Sequence, residues 1–141
     1  MTQWHMKSKR KPSGGLRHTI YRCTKKLAWK GRNPTETYIA EDDERELLRG
    51  RGGNKKVVLT AAKNANVVVD RKANEMKKMQ ILKVVDNKAR RDYIRRNVIT
   101  KGAIIEVQGE GEEPIRAIVT SRPGQSGTVQ ATVVRPAKEA G

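Results

Sequence analysis

The chain has 141 residues, one cysteine and a formal net charge of +16 at pH 7, from 31 Lys and Arg against 15 Asp and Glu. This length fits one domain with a tail, and the lone Cys23 excludes an internal disulfide and a four-cysteine zinc site. Because we find no apolar run long enough for a signal peptide or a membrane span, and no basic amphipathic helix, we expect a cytosolic protein whose self-repulsion is relieved by nucleic acid.

The first 33 residues contain ten basic side chains and no acidic one. Their few apolar residues follow no sustained period, and "KPSGG" is typical of a turn. A segment of this composition buries too little apolar surface to fold alone. We therefore predict that residues 1–33 are a basic, irregular, RNA-binding extension that becomes ordered on an anionic surface.

A β domain is predicted to begin at residue 34, and its first notable feature is a basic glycine loop. "TETYIA" at 35–40 alternates as a strand does, and "EDDERELL" at 41–48 predicts a short helix or turn. "RGRGGNKK" at 49–56 follows, and its glycines permit positive φ and a close approach of an anion to the main chain.

The middle of the chain is dominated by strand patterns. "KKVVLTAA" at 55–62 and "ANVVVD" at 65–70 are β-branched runs separated by the turn-like "KNAN", and residues 77–86 predict a longer strand. Residues 87–99 fit either an amphipathic helix or a twisted strand over 93–99, and the sequence does not choose between them.

The last third predicts three more strands, "AIIEVQ", "IRAIVTS" and "TVQATVV", separated by "GEGEEP" and "RPGQSG". Pro123, Gly124 and Gly127 predict that the last two strands form a hairpin. Six or seven short strands at such regular intervals predict an all-β sandwich or barrel over 34–135, with 136–141 as a frayed end.

No pattern argues for an enzyme. "GRGGNKK" lacks the Ser or Thr of a phosphate-binding P-loop and precedes a strand pattern, where a P-loop precedes a helix. His5 and His18 have no neighbouring carboxylate, and the acids of residues 41–46 are interpreted as a solvated face or as partners of nearby arginines. We expect no catalytic site, no cofactor, no metal site and no small-molecule substrate.

Four basic clusters instead indicate phosphate binding: residues 7–11, 25–26, 49–56 and 90–96. Aromatic side chains interleave with the first two clusters, where they either stack on unpaired bases or, for the tryptophans, pack on the barrel; they are Trp4, His5, His18, Tyr21 and Trp29. Composition alone leaves two readings open, an RNA-binding component of a fixed assembly and a free-standing barrel that binds any nucleic acid.

Several motifs, in order, resemble a known family. "KRKPSGG", "GRNPTET", "RGGNKK" and "ITKGAIIEV…VTSRPGQSGTVQATVV" are similar to the e-type family of small-subunit ribosomal protein number eight, in its compact archaeal length. The resemblance implies a small closed six-stranded β-barrel with a basic N-terminal extension threaded through ribosomal RNA. It also implies a structural role in the cytoplasmic ribosome, as a monomer among neighbouring ribosomal proteins, with no reaction.

The charge pattern and this resemblance together predict a set of RNA-contacting residues. The resemblance itself implies contacts from residues 9–15 and 51–56, and the remaining positions are basic side chains of the clusters. The predicted set is Lys7, Lys9, Arg10, Lys11, Gly14, Gly15, Arg17, Arg22, Lys25, Lys26, Lys30, Arg32, Arg49, Arg51, Gly52, Gly53, Asn54, Lys55, Lys56, Arg95 and Arg96.

Overall fold

The structure is a computed structural model that describes residues 2–18, 25–70, 75–109, 111 and 113–134. The chain divides into two compact units, Met1–Pro34 and Thr35–Gly141. Within the described residues, no helix is long and apolar enough to cross a membrane. Those residues also contain no group of three or more His, Cys, Asp or Glu side chains arranged to hold a metal ion.

The N-terminal unit contains a short two-stranded sheet where the sequence predicted only irregular chain. β1 (Gln3–Trp4) pairs antiparallel with β2 (Lys30–Gly31), and a 3-10 turn at Leu27–Trp29 leads into β2. The His5 N–H donates to the Trp29 carbonyl at 2.8 Å. A Cβ at Gly31 would overlap the His5 ring, so glycine lets this ring lie against the β2 backbone.

The second unit begins with a three-stranded sheet in the order β3-β5-β4. Its strands are β3 (Tyr38–Ile39), β4 (Glu44–Arg49) and β5 (Lys55–Ala62). The prediction of a helix or turn over 41–48 was wrong for β4, which pairs antiparallel with β5. An edge strand tolerates the charged side chains of β4, because one side of its ladder and much of its surface face water.

Five strands then close into a barrel, in the order β10-β6-β7-β8-β9. They are β6 (Asn64–Asp70), β7 (Glu75–Asp86), β8 (Ile104–Gln108), β9 (Ile115–Val119) and β10 (Gln130–Val133). All neighbours are antiparallel except β10 and β6, which are parallel. The all-β class is therefore confirmed, but the closed barrel has five strands and not the predicted six.

The reason is the junction between β5 and β6. Only Lys63 separates these strands, so the chain passes directly from β5 in the side sheet to β6 in the barrel. Within the barrel, β6 pairs with β10 and not with β5. The predicted turn at "KNAN" is reduced to this one-residue bend. Leu59 and Ala62 of β5 nevertheless join the barrel core, which joins the side sheet to the barrel.

The core consists of branched and small side chains, as a chain without Phe requires. Val67, Met79, Ile105 and Val107 are each at most 2% exposed and fill the barrel. Successive strand residues point to opposite faces, so Ala65 and Val67 enter the core while Asn64 and Asn66 point outward.

The connections carry two single helical turns. α1 (Asp92–Arg95) lies in the stretch that the sequence left open, where no strand forms over residues 93–99. α2 (Pro123–Ser126) ends at Gly127, whose φ of +68° is left-handed. The predicted β9–β10 hairpin is confirmed, whereas the predicted frayed end at 136–141 lies outside the described residues.

Candidate nucleic-acid interface

The "KRKPSGG" motif forms a tight hairpin over residues 9–17. Arg10 and Leu16 pair antiparallel, the Arg17 N–H donates to the Lys9 carbonyl at 2.8 Å, and the Lys11 N–H donates to the Gly15 carbonyl at 2.7 Å. At the tip the Gly14 N–H donates to the Lys11 carbonyl at 2.9 Å. Gly14 has a φ of +84°, which explains why a glycine stands there.

The two arginines of this hairpin bind its own backbone. Arg10 Nη1 donates to the Gly14 carbonyl at 2.9 Å, and Arg17 Nε lies 3.4 Å from the Arg10 carbonyl. Within the described residues, the side chains of Lys9 and Lys11 have no hydrogen bond or ion pair. The arginines therefore stabilise the hairpin, and the exposed lysines leave two positive charges at the surface.

A cavity of about 520 Å³ opens beside this hairpin, within the same unit. Four of the side chains that line it are Lys or Arg, and none is acidic. Lys26 Nζ lies 5.2 Å from the Trp29 ring centroid, a cation–π distance. The cavity thus combines positive charge with an aromatic wall, and its lining residues are Met6, Lys7, Lys11, Arg17, His18, Lys26 and Trp29.

The other predicted residues of the N-terminal unit are spread over its second half. Lys25 and Arg32 are exposed, and Lys30 stands in β2 opposite Trp4. Both tryptophans, Trp4 and Trp29, are half-buried. The predicted contacts of Arg22 and Tyr21 lie outside the described residues.

The glycine loop of the second unit is the tip of the β4–β5 hairpin. A 3-10 turn at Arg51–Gly53 reverses the chain, with φ of +67° at Gly52 and +77° at Gly53. The Gly50 N–H donates to the Asn54 carbonyl at 2.6 Å, and Asn54 Nδ2 donates to the Arg51 carbonyl at 3.1 Å. These bonds fix the turn, while a Cβ on Gly53 would meet nothing within 4 Å. The turn therefore has a defined conformation, and its main chain is accessible at Gly53.

Positive charge is concentrated at this tip without internal compensation. Arg49 stands directly across the ladder from Lys55, and Leu48 stands across from Lys56. No described residue forms an ion pair with Arg49, Arg51, Lys55 or Lys56. Like charges directly opposite each other destabilise a strand pair. The arrangement therefore costs folding stability, and an anionic partner at the tip would offset that cost.

An exposed apolar pair lies next to the basic tip, and the sequence analysis missed it. Leu47 and Val57 stand opposite each other in the β4–β5 ladder and are 60% and 41% exposed. They share a face with Arg49 and Lys55, because side chains two residues apart on a strand point the same way. The available signal was the adjacent Leu47 and Leu48, which place one leucine on each face of a strand, but the stretch was interpreted as helix or turn.

The arginines of α1 differ from those of the two hairpin tips. Arg95 Nη2 lies 3.0 Å from Asp92 Oδ1, and Arg96 Nη2 lies 2.5 Å from Glu36 Oε2. The hydrogen bond and negative charge of Glu36 raise the pKa of the Arg96 guanidinium above its ordinary value. Arg95 and Arg96, both predicted to contact RNA, thus have carboxylate partners within the chain.

The sequence is similar to known proteins over nearly its whole length. The family model described as "Ribosomal protein S8e" matches residues 4–134. The protein named small ribosomal subunit protein eS8 of Methanococcus aeolicus is 46% identical over 131 residues, 93% of this chain and 96% of its own. The proteins of the same name from Hyperthermus butylicus and Ignicoccus hospitalis are each 40% identical, over 99% and 95% of this chain and 97% and 98% of their own.

Proposed function

The chain belongs to the ribosomal protein S8e family, and from this membership we propose that it is a structural constituent of the small ribosomal subunit that binds and stabilises ribosomal RNA. A ribosomal protein family is structural, so the proposal includes no reaction. The proposed partners are small-subunit RNA and neighbouring ribosomal proteins, and the proposed location is the ribosome in the cytoplasm.

The two parts of the chain have different proposed tasks. Residues 1–33 are the basic extension that follows the RNA, and residues 34–135 are the β domain that presents the glycine loop to it. In support of this division, all ten basic residues of the first segment stand without an acidic neighbour in that segment.

One observation carries the RNA-binding proposal: each unit has a tight hairpin whose tip pairs left-handed glycines with uncompensated basic side chains. Gly14 and Lys11 stand at one tip, and Gly52, Gly53 and Arg51 at the other. At such a tip a phosphate approaches the main chain closely, because no Cβ intervenes. Backbone N–H groups and Lys or Arg then bind the same anion together.

RNA phosphates fit these tips better than a small anion does. The residues of each tip are exposed, whereas a site for a free anion or nucleotide buries most of its ligand. Every phosphate that a Lys or Arg neutralises also releases a condensed counterion, a gain that requires a polyanion. Arg49, Arg51, Lys55 and Lys56 within one hairpin therefore match a stretch of RNA backbone.

The test is the ratio of affinities for matched nucleic acids at one salt concentration. The full chain is titrated with small-subunit ribosomal RNA, large-subunit RNA fragments of equal length, and DNA. A component of a fixed assembly binds small-subunit RNA at least about 1,000-fold more tightly, as specific sites do relative to non-specific binding. Equal affinity for all three would replace the proposal with the free-standing, non-specific binder.

A further inference from the structure

A second cavity, of about 230 Å³, opens in the second unit where β5 turns into β6, and it includes none of the predicted RNA-contacting residues. Its apolar floor is formed by Leu59 and Val129, which are 1% and 2% exposed. Polar side chains surround this floor. The cavity is therefore a pocket with an apolar base and a hydrogen-bonding wall, the common pattern of a ligand site.

The wall is built by the alternation of two paired strands. Asn64 and Asn66 both point outward from β6, and Lys78 on β7 is the cross-strand neighbour of Asn66. Within the described residues, these three side chains have no hydrogen-bond or ion-pair partner. Two amides and one ammonium group thus face the pocket with their donors and acceptors unused by the protein.

Asp43 and Arg45 also line the pocket, and both are bonded to other groups of the protein. Asp43 Oδ1 accepts from the Lys63 N–H at 2.8 Å, and Asp43 Oδ2 lies 3.5 Å from Arg45 Nη2. Arg45 Nε also donates to the Gly127 carbonyl at 3.1 Å. The charges of Asp43 and Arg45 largely offset each other, which leaves the two Asn amides and the Lys78 ammonium as the unpaired polar groups of the pocket. A neutral, planar group with both donors and acceptors is the better occupant.

We infer that this pocket receives one unpaired RNA base, with adenine preferred. The volume is below the roughly 300 to 1,000 Å³ of sites for drug-sized ligands, so a base fits the space better than a larger cofactor. An Asn amide is the side chain that pairs both the donor and the acceptor of adenine. Proteins that recognise single-stranded RNA commonly bind splayed-out bases in this way, and Lys78 at the rim is placed for the flanking phosphate.

The inference rests on the proposed RNA binding but uses residues outside both basic hairpins. Its test compares the affinity of the full chain for an adenosine dodecamer and a uridine dodecamer at one salt concentration. The wild type is expected to prefer the adenosine dodecamer by at least about fivefold, the discrimination typical of one good amide–base pair. Asn66→Ala is expected to abolish this preference while leaving affinity for the uridine dodecamer unchanged.

Gln80→Ala is the matched control, because Gln80 is the exposed cross-strand neighbour of Asn64 and does not line the pocket. It is expected to retain the preference. Equal binding of both dodecamers by the wild type would overturn the inference alone. Binding of neither would overturn the proposed function as well, so the two failures are distinguishable.

A second measurement does not depend on any variant folding. In the isotope-labelled wild type, adenosine monophosphate is expected to shift the side-chain amide resonances of Asn64 and Asn66 more than uridine monophosphate does. Asn87, whose buried amide donates to the Val98 carbonyl at 3.1 Å, is the internal reference. Shifts of Asn64 and Asn66 no larger than that of Asn87, or equal shifts with both nucleotides, would overturn the base pocket.

Discussion

At Gly53 the backbone has a φ of +77°, and a Cβ there would have no heavy atom within 4 Å. A side chain at this position is therefore limited by backbone strain and not by collision within the protein. The turn itself requires glycine here, and the proposed approach of an RNA phosphate to the tip requires it as well. A substitution of Gly53 can therefore test the effect on folding and the effect on RNA binding separately.

Gly53→Val is expected to lower the free energy of unfolding by about 1–2 kcal/mol, the cost of left-handed backbone for a residue with a Cβ. RNA affinity is expected to fall by more than this strain explains, because the isopropyl group occupies the space that a phosphate needs. Gly53→Asn is the control for strain, since Asn tolerates this conformation best among the other residues. Chemical denaturation and RNA titration check both effects; a loss of affinity that only tracks stability would contradict the account.

Arg96, which the sequence predicted to contact RNA, forms ion pairs with carboxylates of its own chain. Its guanidinium is bonded to Glu36 and lies 3.8 Å from an Asp92 oxygen. Glu36→Gln removes the carboxylate that raises the pKa of Arg96 and leaves a neutral acceptor of the same shape. RNA affinity is expected to rise, and its salt dependence to steepen by at most one phosphate contact, about 0.9 in the logarithmic slope.

The measurement is RNA affinity at several salt concentrations for the wild type and Glu36→Gln. Glu106→Gln is the matched control, because Glu106 also pairs with a basic side chain, Lys83, but belongs to β8 and does not line the base pocket. An unchanged slope in Glu36→Gln would remove Arg96 from the set of RNA contacts.

Among the structural elements, the β4–β5 hairpin places like charges across its ladder at Arg49 and Lys55. Selection for stability alone would not favour two positive charges at these positions, because opposite charges across a ladder stabilise a sheet. The barrel supplies the contrast within the same chain. Lys83 stands across from Glu106, and Lys83 Nζ lies 2.8 Å from Glu106 Oε2.

Lys55→Glu is therefore expected to stabilise the fold by about 0.2–1 kcal/mol while weakening RNA binding. Lys83→Glu makes the same change of charge but places two carboxylates opposite each other, so it is expected to destabilise the fold by a similar amount. It should leave RNA affinity closer to that of the wild type. Thermal unfolding and RNA titration of both variants measure the contrast, and a Lys55→Glu variant that binds RNA as well as the wild type would contradict the proposed interface.

The elements could be predicted wherever local residues decide the structure. β5 and β7 are rich in β-branched residues and were predicted nearly to their ends. β4 was not, because its acidic residues and leucines are compatible with a helix and only the pairing with β5 makes it a strand. The partner of Arg96 could not be predicted either, since Glu36 is 60 positions away.

For the whole molecule, the number of barrel strands depends on two non-local features. The chain bends at Lys63, and β10 pairs in parallel with β6 more than 60 positions before it. Neither feature leaves a periodic signal, so the sequence predicted the all-β class without the correct count. The charge was predictable throughout, because Lys and Arg are ionised in any fold.

The central claim is that a net charge of +16, displayed in part on two glycine hairpins, fixes this protein to one ribonucleoprotein particle. The most direct measurement is sedimentation of the tagged full chain from extracts of its own cells, in moderate and then in high salt. The account predicts that the chain travels with the small ribosomal subunit and resists moderate salt. A chain that stays at the top of the gradient, or spreads over all nucleic acid and leaves at modest salt, would contradict it.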